Sequence, residues 1–170
     1  MLETDEDIIT YEKLLFEMFS KKNPANIIFD CFDTIEGCRL RSKIVPLSDQ
    51  VYCVAEQNGV ILAGMSGNLK CSGPLQLEYV GFSVDRNGPK FVEGLTLFGA
   101  QDLGGSIFPV FDALISFIVA QLKALRVERI YSTCSKNLLT MYDLFGFTDL
   151  DRLTLPNGDE KHLIYYDIEN

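Results

Sequence analysis

The chain has 170 residues, of which 47% are hydrophobic, and this is enough for one domain with a full hydrophobic core. The formal net charge of −9 at pH 7 leaves no basic field to attract phosphate groups, so nucleic acid and anionic membrane surfaces are not expected partners. Five cysteines, an odd number without paired spacing, predict buried thiols in a reducing compartment, and the cytoplasm is the expected location.

The N-terminal part, about residues 1–48, is predicted to be mainly helical. Apolar residues over 6–20 recur mostly at helical spacing after an acidic start that favours a helix N-terminus. Asn23-Pro24 then breaks the chain. The short apolar run over 27–32 fits either a strand or a helix, because periodicity alone does not distinguish the two.

A series of extended segments follows. Asn58-Gly59 separates the apolar segments 51–56 and 60–65, and these two residue types readily adopt the positive φ angles that a tight hairpin turn needs. Residues 75–84 are predicted as a further strand, closed by dense turn chemistry. Residues 91–98 form another predicted extended segment.

A glycine-rich stretch, 99–106, leads directly into a predicted helix over 107–125. Pro109 falls in the first turn of that helix, where a missing N–H is tolerated. Between 107 and 122 the only charged residue is Asp112. Because this run is shorter than the roughly 20 apolar residues that a bilayer core requires, it predicts a buried central helix.

The C-terminal third predicts a strand, a short helix and a hairpin. The strand covers 127–133, and the helix that follows ends at Gly146, which supplies the left-handed backbone conformation. Segments 149–155 and 161–168 flank turn residues and predict a terminal hairpin. The order of elements predicts an α/β fold with a mixed, mostly antiparallel central sheet flanked by helices.

The pattern Tyr142-x-x-x-Gly146-Phe147 after a strand resembles the fourth-helix motif of the GNAT (Gcn5-related N-acetyltransferase) superfamily. The spacing Gln101-x-x-Gly104-x-Ser106 resembles the pyrophosphate loop of the same family, although Asp102 stands where the family has basic residues. This resemblance covers about 50–170 and implies a single GNAT-like domain over 1–170, whose cofactor-binding and C-terminal part begins near residue 50.

A second alignment resembles the acyl-homoserine-lactone synthases and N-acyl amino acid synthases, which are GNAT relatives that take long acyl chains. It places the family's fourth strand at 78–85, where the family pattern Glu-x-x-Arg-x-x-Val begins at Glu78. Gly81 stands in the place of the arginine. Under this alignment the apolar helix over 107–122 lines an acyl pocket; otherwise it is a core helix.

The resemblance implies transfer of an acyl group, acetyl in the first instance, from acetyl-CoA to a primary amine by direct attack. Tyr142 would protonate the departing thiolate, and Glu93 or Glu78 would remove the amine proton, unless a water relays it. The implied cofactor-binding residues are Phe98, Gln101, Gly104, Gly105 and Ser106. The open alternatives are a long-chain N-acyltransferase and a non-catalytic GNAT-like binding module.

The remaining polar residues with reactive side chains receive structural assignments. Cys134 is predicted to be a small core residue and His162 an exposed strand residue, because nothing in the sequence pairs them. Cys31 and Cys38 lack a second pair of metal ligands, so no metal is expected. The expected partner is a small-molecule or protein amine, and a homodimer is possible through an edge strand.

Overall fold

The computed structural model describes residues 1–2, 4–22, 28–99 and 107–169. Its α-helices are α1 (Asp5–Lys22), α2 (Ile28–Cys31), α3 (Gln76–Val80), α4 (Ile107–Ala124) and α5 (Leu139–Leu144). Its strands are β1 (Phe32–Ile35), β2 (Arg39–Ser42), β3 (Gln50–Gln57), β4 (Val60–Asn68), β5 (Phe91–Gly99), β6 (Arg129–Ser135), β7 (Thr148–Thr154) and β8 (Glu160–Asp167).

The central sheet contains six strands in the order β3-β4-β5-β6-β8-β7. Four of the neighbouring pairs are antiparallel, and the β5–β6 pair at the centre is parallel. Strands β1 and β2 form a separate antiparallel pair, which the sequence analysis did not predict. The predicted mixed, mostly antiparallel sheet flanked by helices is confirmed.

Local turn chemistry accounts for both predicted hairpins. Asn58 and Gly59 have φ angles of 54° and 79° between β3 and β4, as a two-residue turn with both φ angles positive requires. Gly158, with φ 88°, lies in the turn between β7 and β8. Gly146, with φ 84°, follows α5, so the predicted helix stop is confirmed as well.

The strand predicted over 75–84 is wrong, because this segment forms the short helix α3. The backbone N–H of Leu77 donates a 2.7 Å hydrogen bond to the carboxylate of Glu93, sixteen residues away. Gly81, with φ 115°, ends the helix and donates back to the carbonyl of Glu78. A long-range hydrogen bond and a left-handed glycine therefore override the alternating apolar pattern.

Helices cover both faces of the sheet. Helix α4 packs against β3 and β4 through a cluster that includes Phe111 and Leu114, and α5 lies on the same face. The opposite face carries α1, where Tyr11 packs on Tyr52 and Phe98. Helix α4 is long and apolar enough by composition to cross a bilayer, yet in this fold it lies on the sheet with only part of its surface buried.

A buried ion cluster joins α1 to β2. Glu12 on α1 is fully buried and accepts hydrogen bonds from the guanidinium groups of Arg39 and Arg41. The Arg41 contact is bidentate, with Nη2 at 3.1 Å from Oε2, and the Arg39 Nη1 contact is 3.4 Å. This cluster holds the N-terminal helix against the β1–β2 hairpin.

Candidate active site

Strands β5 and β6 separate in the middle of the sheet. They pair only where 91–93 face 129–131, although β5 continues to Gly99 and β6 to Ser135. At the point of separation, Ser132 Oγ donates a 3.0 Å hydrogen bond to the carbonyl of Gly94. Beyond it, 94–99 and 132–135 no longer pair with each other, and the space between these two unpaired strand sections is here called the cleft.

A β-bulge lies on β5 beside the start of the cleft. Ser66 faces Thr96 and Gly67 faces Gly94 across the β4–β5 pair, so Leu95 is an extra residue on β5. The bulge shifts the alternation of side chains, and Thr96 Oγ1 meets Tyr11 on the α1 face of the sheet at 2.7 Å. Bulges of this kind re-aim side chains next to active sites.

Glu93 is the last β5 residue to pair with β6 and is 1% exposed. Its carboxylate accepts hydrogen bonds from the Leu77 backbone N–H at 2.7 Å and from Asn68 Nδ2 at 3.3 Å. Burial raises the pKa of this carboxyl group, and the hydrogen bonds offset part of that rise. The structure therefore brings the predicted base to the start of the cleft, in an environment that suits proton abstraction.

The second predicted base, Glu78, occupies a different environment. It lies exposed on α3 rather than on an extended strand, which corrects the predicted segment. Both of its carboxylate oxygens accept hydrogen bonds from the guanidinium of Arg86. With 78–80 in a helix, the strand in the centre of the sheet is β5, and the synthase alignment on 78–85 is not supported.

Tyr142 lies on α5 and is buried, with its ring packed edge-on against Phe147 at 5.3 Å between centroids. Burial raises the pKa of its hydroxyl well above the usual range, so the hydroxyl stays protonated near neutral pH, as a proton donor must. Among the described residues, the Tyr142 hydroxyl makes no hydrogen bond. The side chain also lines a surface cavity of about 280 Å³ together with Asp149 and Ile164.

The predicted cofactor-binding residues fall into two groups. Phe98 lies on the cleft section of β5, where its ring packs against Tyr11 at 5.2 Å between centroids. The loop residues lie outside the described part of the chain, and their role stays a prediction; they are Gln101, Gly104, Gly105 and Ser106. In the sequence, these residues connect the end of β5 to the first turn of α4.

An apolar cavity of about 40 Å³ lies beneath the start of the cleft, between the sheet and α4. Strands β3, β4, β5 and β6 line it on the sheet side, and Ile118 and Leu122 line it from α4. A cavity of this volume accommodates a group of about the size of a water molecule or a methyl group. A longer acyl chain would require the surrounding side chains to move.

His162 is 3% exposed, so the prediction of an exposed strand residue is wrong. Its two ring nitrogens contact carboxylates of Asp149, at 3.0 Å, and Glu160, at 2.9 Å. Cys134 lies directly opposite His162 across β6 and β8, and burial raises the pKa of its thiol to about 11. Cys134 is 3% exposed and lies in a core cluster, so its predicted core position is confirmed.

Two polar side chains near the cleft were missed by the sequence analysis. Lys161 on β8 donates a 3.2 Å hydrogen bond to Ser135 Oγ at the end of β6, and burial lowers the pKa of its ammonium group. Gln76, at the start of α3, is 8% exposed and lies next to Glu93. Side chains alternate along a strand, so the sequence could have placed Lys161 on the other face of the sheet from His162. Gln76 could not be placed, because its segment was predicted as a strand and forms a helix.

In the described ranges, no group of three or more His, Cys, Asp or Glu side chains is arranged to hold a metal ion. All five cysteines, each of them in the described ranges, are free.

Comparison with known proteins gave structural matches only. No family model matches the sequence, and no curated protein matches it. BjaI, a CoA-dependent acyl-homoserine lactone synthase with SAM and isopentyl-CoA, superposes with a TM-score of 0.74 at 16% identity, over 98% of this chain and 78% of BjaI. The chain has a GNAT-like acyltransferase fold. Within it, the resemblance to acyl-homoserine lactone synthases extends over nearly the whole length.

Two further structures with the GNAT-like fold define this resemblance. MesI, another CoA-dependent acyl-homoserine lactone synthase, matches with a TM-score of 0.74 at 14% identity, over 96% of this chain and 82% of MesI. The ribosomal-protein-S18-alanine N-acetyltransferase from Escherichia coli matches with a TM-score of 0.51 at 12% identity, over 72% of this chain and 71% of its own. The GNAT-like neighbours are thus acyltransferases of both synthase and acetyltransferase type.

Proposed function

We propose that this protein is an acyl-CoA-dependent N-acyltransferase that transfers a short acyl group, acetyl in the first instance, to a primary amine. The observation that carries the proposal is the separation of β5 and β6 after three residue pairs. Strand edges that face each other without pairing offer backbone groups to an extended ligand, and the pantetheine arm of coenzyme A carries two amides. Glu93 lies where this cleft begins.

In the proposed reaction, the amine nitrogen attacks the carbonyl carbon of the thioester. The C–N bond forms, the C–S bond breaks, and coenzyme A leaves as a thiol. Glu93 takes the proton from the amine, and Tyr142 supplies the proton to the departing thiolate. The loop over 101–106 would bind the pyrophosphate through backbone N–H groups, aided by the N-terminal dipole of α4.

The size of the acyl group is the open part of the proposal, and two observations favour different answers. The cavity of about 40 Å³ beneath the cleft favours acetyl or another short group. The near-complete superposition on BjaI, compared with 72% coverage by the E. coli acetyltransferase, favours the second candidate, a long-chain N-acyltransferase of the synthase type.

The free cysteines suit a reducing compartment, and we place the protein in the cytoplasm.

Binding of the donor is expected to raise the melting temperature of the protein. A ligand present at 100 times its Kd stabilises the native state by about 2.7 kcal/mol. For a chain of this length, that corresponds to a rise of roughly 5–10 °C. The measurement is thermal unfolding with acetyl-CoA, coenzyme A and a long-chain acyl-CoA, on the wild type and on the variants Gly105→Glu and Ser72→Glu.

Gly105→Glu places a carboxylate in the predicted pyrophosphate loop and should abolish the shift. Ser72→Glu adds the same charge at an exposed turn and should preserve it. A shift with the long-chain ligand alone would favour the second candidate. No shift with any ligand would contradict the proposal and leave a non-catalytic binding module as the explanation of the fold.

Tyr142→Phe is expected to lower kcat by about 100-fold, since general acid catalysis contributes at least that factor. The melting temperature should stay nearly unchanged, because the hydroxyl makes no hydrogen bond within the described part of the chain. Steady-state turnover monitored by thiol release is the measurement. Tyr79→Phe, which alters an exposed hydroxyl on α3, is the matched control. Full turnover by Tyr142→Phe would rule out the proposed acid.

A further inference from the structure

Gln76 has a buried amide oxygen that lacks a hydrogen-bond donor. Its side chain is 8% exposed, and its Nε2 donates a 3.4 Å hydrogen bond to the carbonyl of Leu95. Because the Leu95 carbonyl can only accept, that bond identifies the amide atom facing it as the nitrogen. The opposite atom, Oε1, is buried without a partner among the described residues. Buried acceptors are normally paired, so an unpaired one calls for an explanation.

The position of this oxygen connects it with the proposed base. Gln76 is the first residue of α3, and the N–H of the next residue, Leu77, binds the Glu93 carboxylate. On its other side, the Gln76 amide holds Leu95, the bulge residue of β5 beside the start of the cleft. The Gln76 side chain therefore reaches from the start of α3, where backbone N–H groups bind Glu93, to the bulge residue two positions after Glu93 on β5.

The groups at this point are hydrogen-bond acceptors. They are the Glu93 carboxylate, the Gln76 Oε1 atom and the Leu95 carbonyl, which already accepts from Gln76. A ligand that satisfies two of them at once must carry at least two hydrogens on one atom or on adjacent atoms. An ammonium group does so, with three N–H donors and a positive charge that complements the carboxylate.

We propose that Gln76 Oε1 accepts a hydrogen bond from the amine of the acyl acceptor and places its nitrogen beside Glu93. This inference rests on the proposed function above. The ammonium gives one proton to Glu93, and the freed lone pair attacks the thioester carbon while Gln76 still holds a second N–H. As the C–S bond breaks, the nitrogen loses its second proton and becomes the amide nitrogen, while the thiolate takes a proton from Tyr142. The proton lost by the nitrogen restores Tyr142 through water, and Glu93 returns its own proton to water.

This arrangement favours an amine over an alcohol as acceptor. A hydroxyl group has a single hydrogen to donate, so it cannot satisfy both Gln76 Oε1 and the Glu93 carboxylate. It would leave one buried acceptor without a partner, which is costly for binding. Gln76 would thus be a residue that selects N-acylation over O-acylation.

The test uses methylammonium chloride as a probe and NMR as the readout, in protein without acyl-CoA. The Gln76 side-chain amide signals and the Leu77 backbone amide signal are assigned by triple resonance and followed during the titration. Both are expected to move saturably with methylammonium and to stay in place with tetramethylammonium, which has the same charge and no N–H. Equal movement with the two ions, or none with either, would overturn the inference.

Matched variants sharpen the result. Gln76→Met keeps the length of the side chain without its acceptor, and the Kd for methylammonium read from the Leu77 amide should rise about tenfold. Gln57→Met makes the same change at an exposed residue of β3 and should leave the Kd unchanged. An unchanged Kd in Gln76→Met would also overturn the inference. Because no acyl-CoA is present, a failure of donor binding would appear separately, in the thermal unfolding experiment.

Discussion

Glu93→Gln is expected to lower the rate of acyl transfer by about 10²- to 10⁴-fold, the usual contribution of a positioned general base. The glutamine amide has nearly the same shape as the carboxylate, and its oxygen can still accept the hydrogen bond from Leu77, although its NH2 group can no longer accept the one from Asn68. What is lost is the ability to take a proton from the amine. The measurement is kcat/KM for thiol release from acetyl-CoA, after an amine acceptor has been identified.

The pH dependence provides a second readout of the same variant. Burial raises the pKa of Glu93, so this residue becomes protonated at a higher pH than an ordinary glutamate. The wild-type rate should therefore begin to fall at that higher pH as the pH is lowered. The glutamine variant should lack this limb. An acid with a raised pKa in the folded state contributes stability that is present below its unfolded pKa and lost as pH rises through the folded pKa. Removing the buried charge should therefore stabilise Glu93→Gln at neutral pH, and the lost hydrogen bond from Asn68 offsets this gain, so its melting temperature should stay close to that of the wild type.

Glu78→Gln is the matched control, because Glu78 is exposed and bound to Arg86. It should retain the wild-type rate and the wild-type acidic limb. If Glu78→Gln lost activity and Glu93→Gln kept it, the assignment of the base would be wrong. If both variants kept full activity, a water molecule would be the remaining route for the proton.

Glu12→Gln is expected to destabilise the protein by about 3–5 kcal/mol, because it removes one partner of a buried ion cluster. Glu12 is fully buried and faces two guanidinium groups, those of Arg39 and Arg41. Arg39 is itself buried, so its charge would remain inside the protein without a carboxylate on α1. Urea denaturation of the variant and the wild type, analysed with the same m-value, measures the change in free energy of unfolding.

Glu17→Gln makes the same substitution on the exposed side of α1 and should change the free energy of unfolding by less than about 0.5 kcal/mol. Equal effects of the two substitutions would show that the charge of α1 matters, not the buried cluster. If Glu12→Gln had only a small effect, the attachment of α1 through this cluster would contribute little to the free energy of unfolding.

Where a short stretch of chain determines the structure, the sequence predicted it correctly. The Asn58-Gly59 turn and the Gly146 helix stop depend on the φ preferences of the residues present, and both were found as predicted. Helix α3 was missed because its first turn is fixed by Glu93, a contact between segments that the sequence does not connect. His162 was misplaced for a related reason, since its carboxylate partners become visible only in the paired strands.

The candidate site divides in the same way. Glu93 was proposed from its residue type and its place in an extended segment, and Tyr142 from a motif; their catalytic roles stay predictions. The cleft itself could not be predicted, because the separation of β5 from β6 depends on the register of two strands joined through the whole length of α4. Gln76 was invisible for the same reason, as its neighbours come from the bulge on β5.

The short parallel pairing has a mechanical consequence. Three residue pairs connect the β3–β4–β5 half of the sheet to the β6–β8–β7 half, so the sheet can be regarded as two plates joined along one short hinge. Helix α4 lies across both plates, with Phe111 packed on the first and Leu122 on the second. Rotation of the plates about this hinge would widen the space below the cleft without breaking either hairpin. The length of acyl chain that the protein accepts would then depend on how firmly α4 resists that rotation.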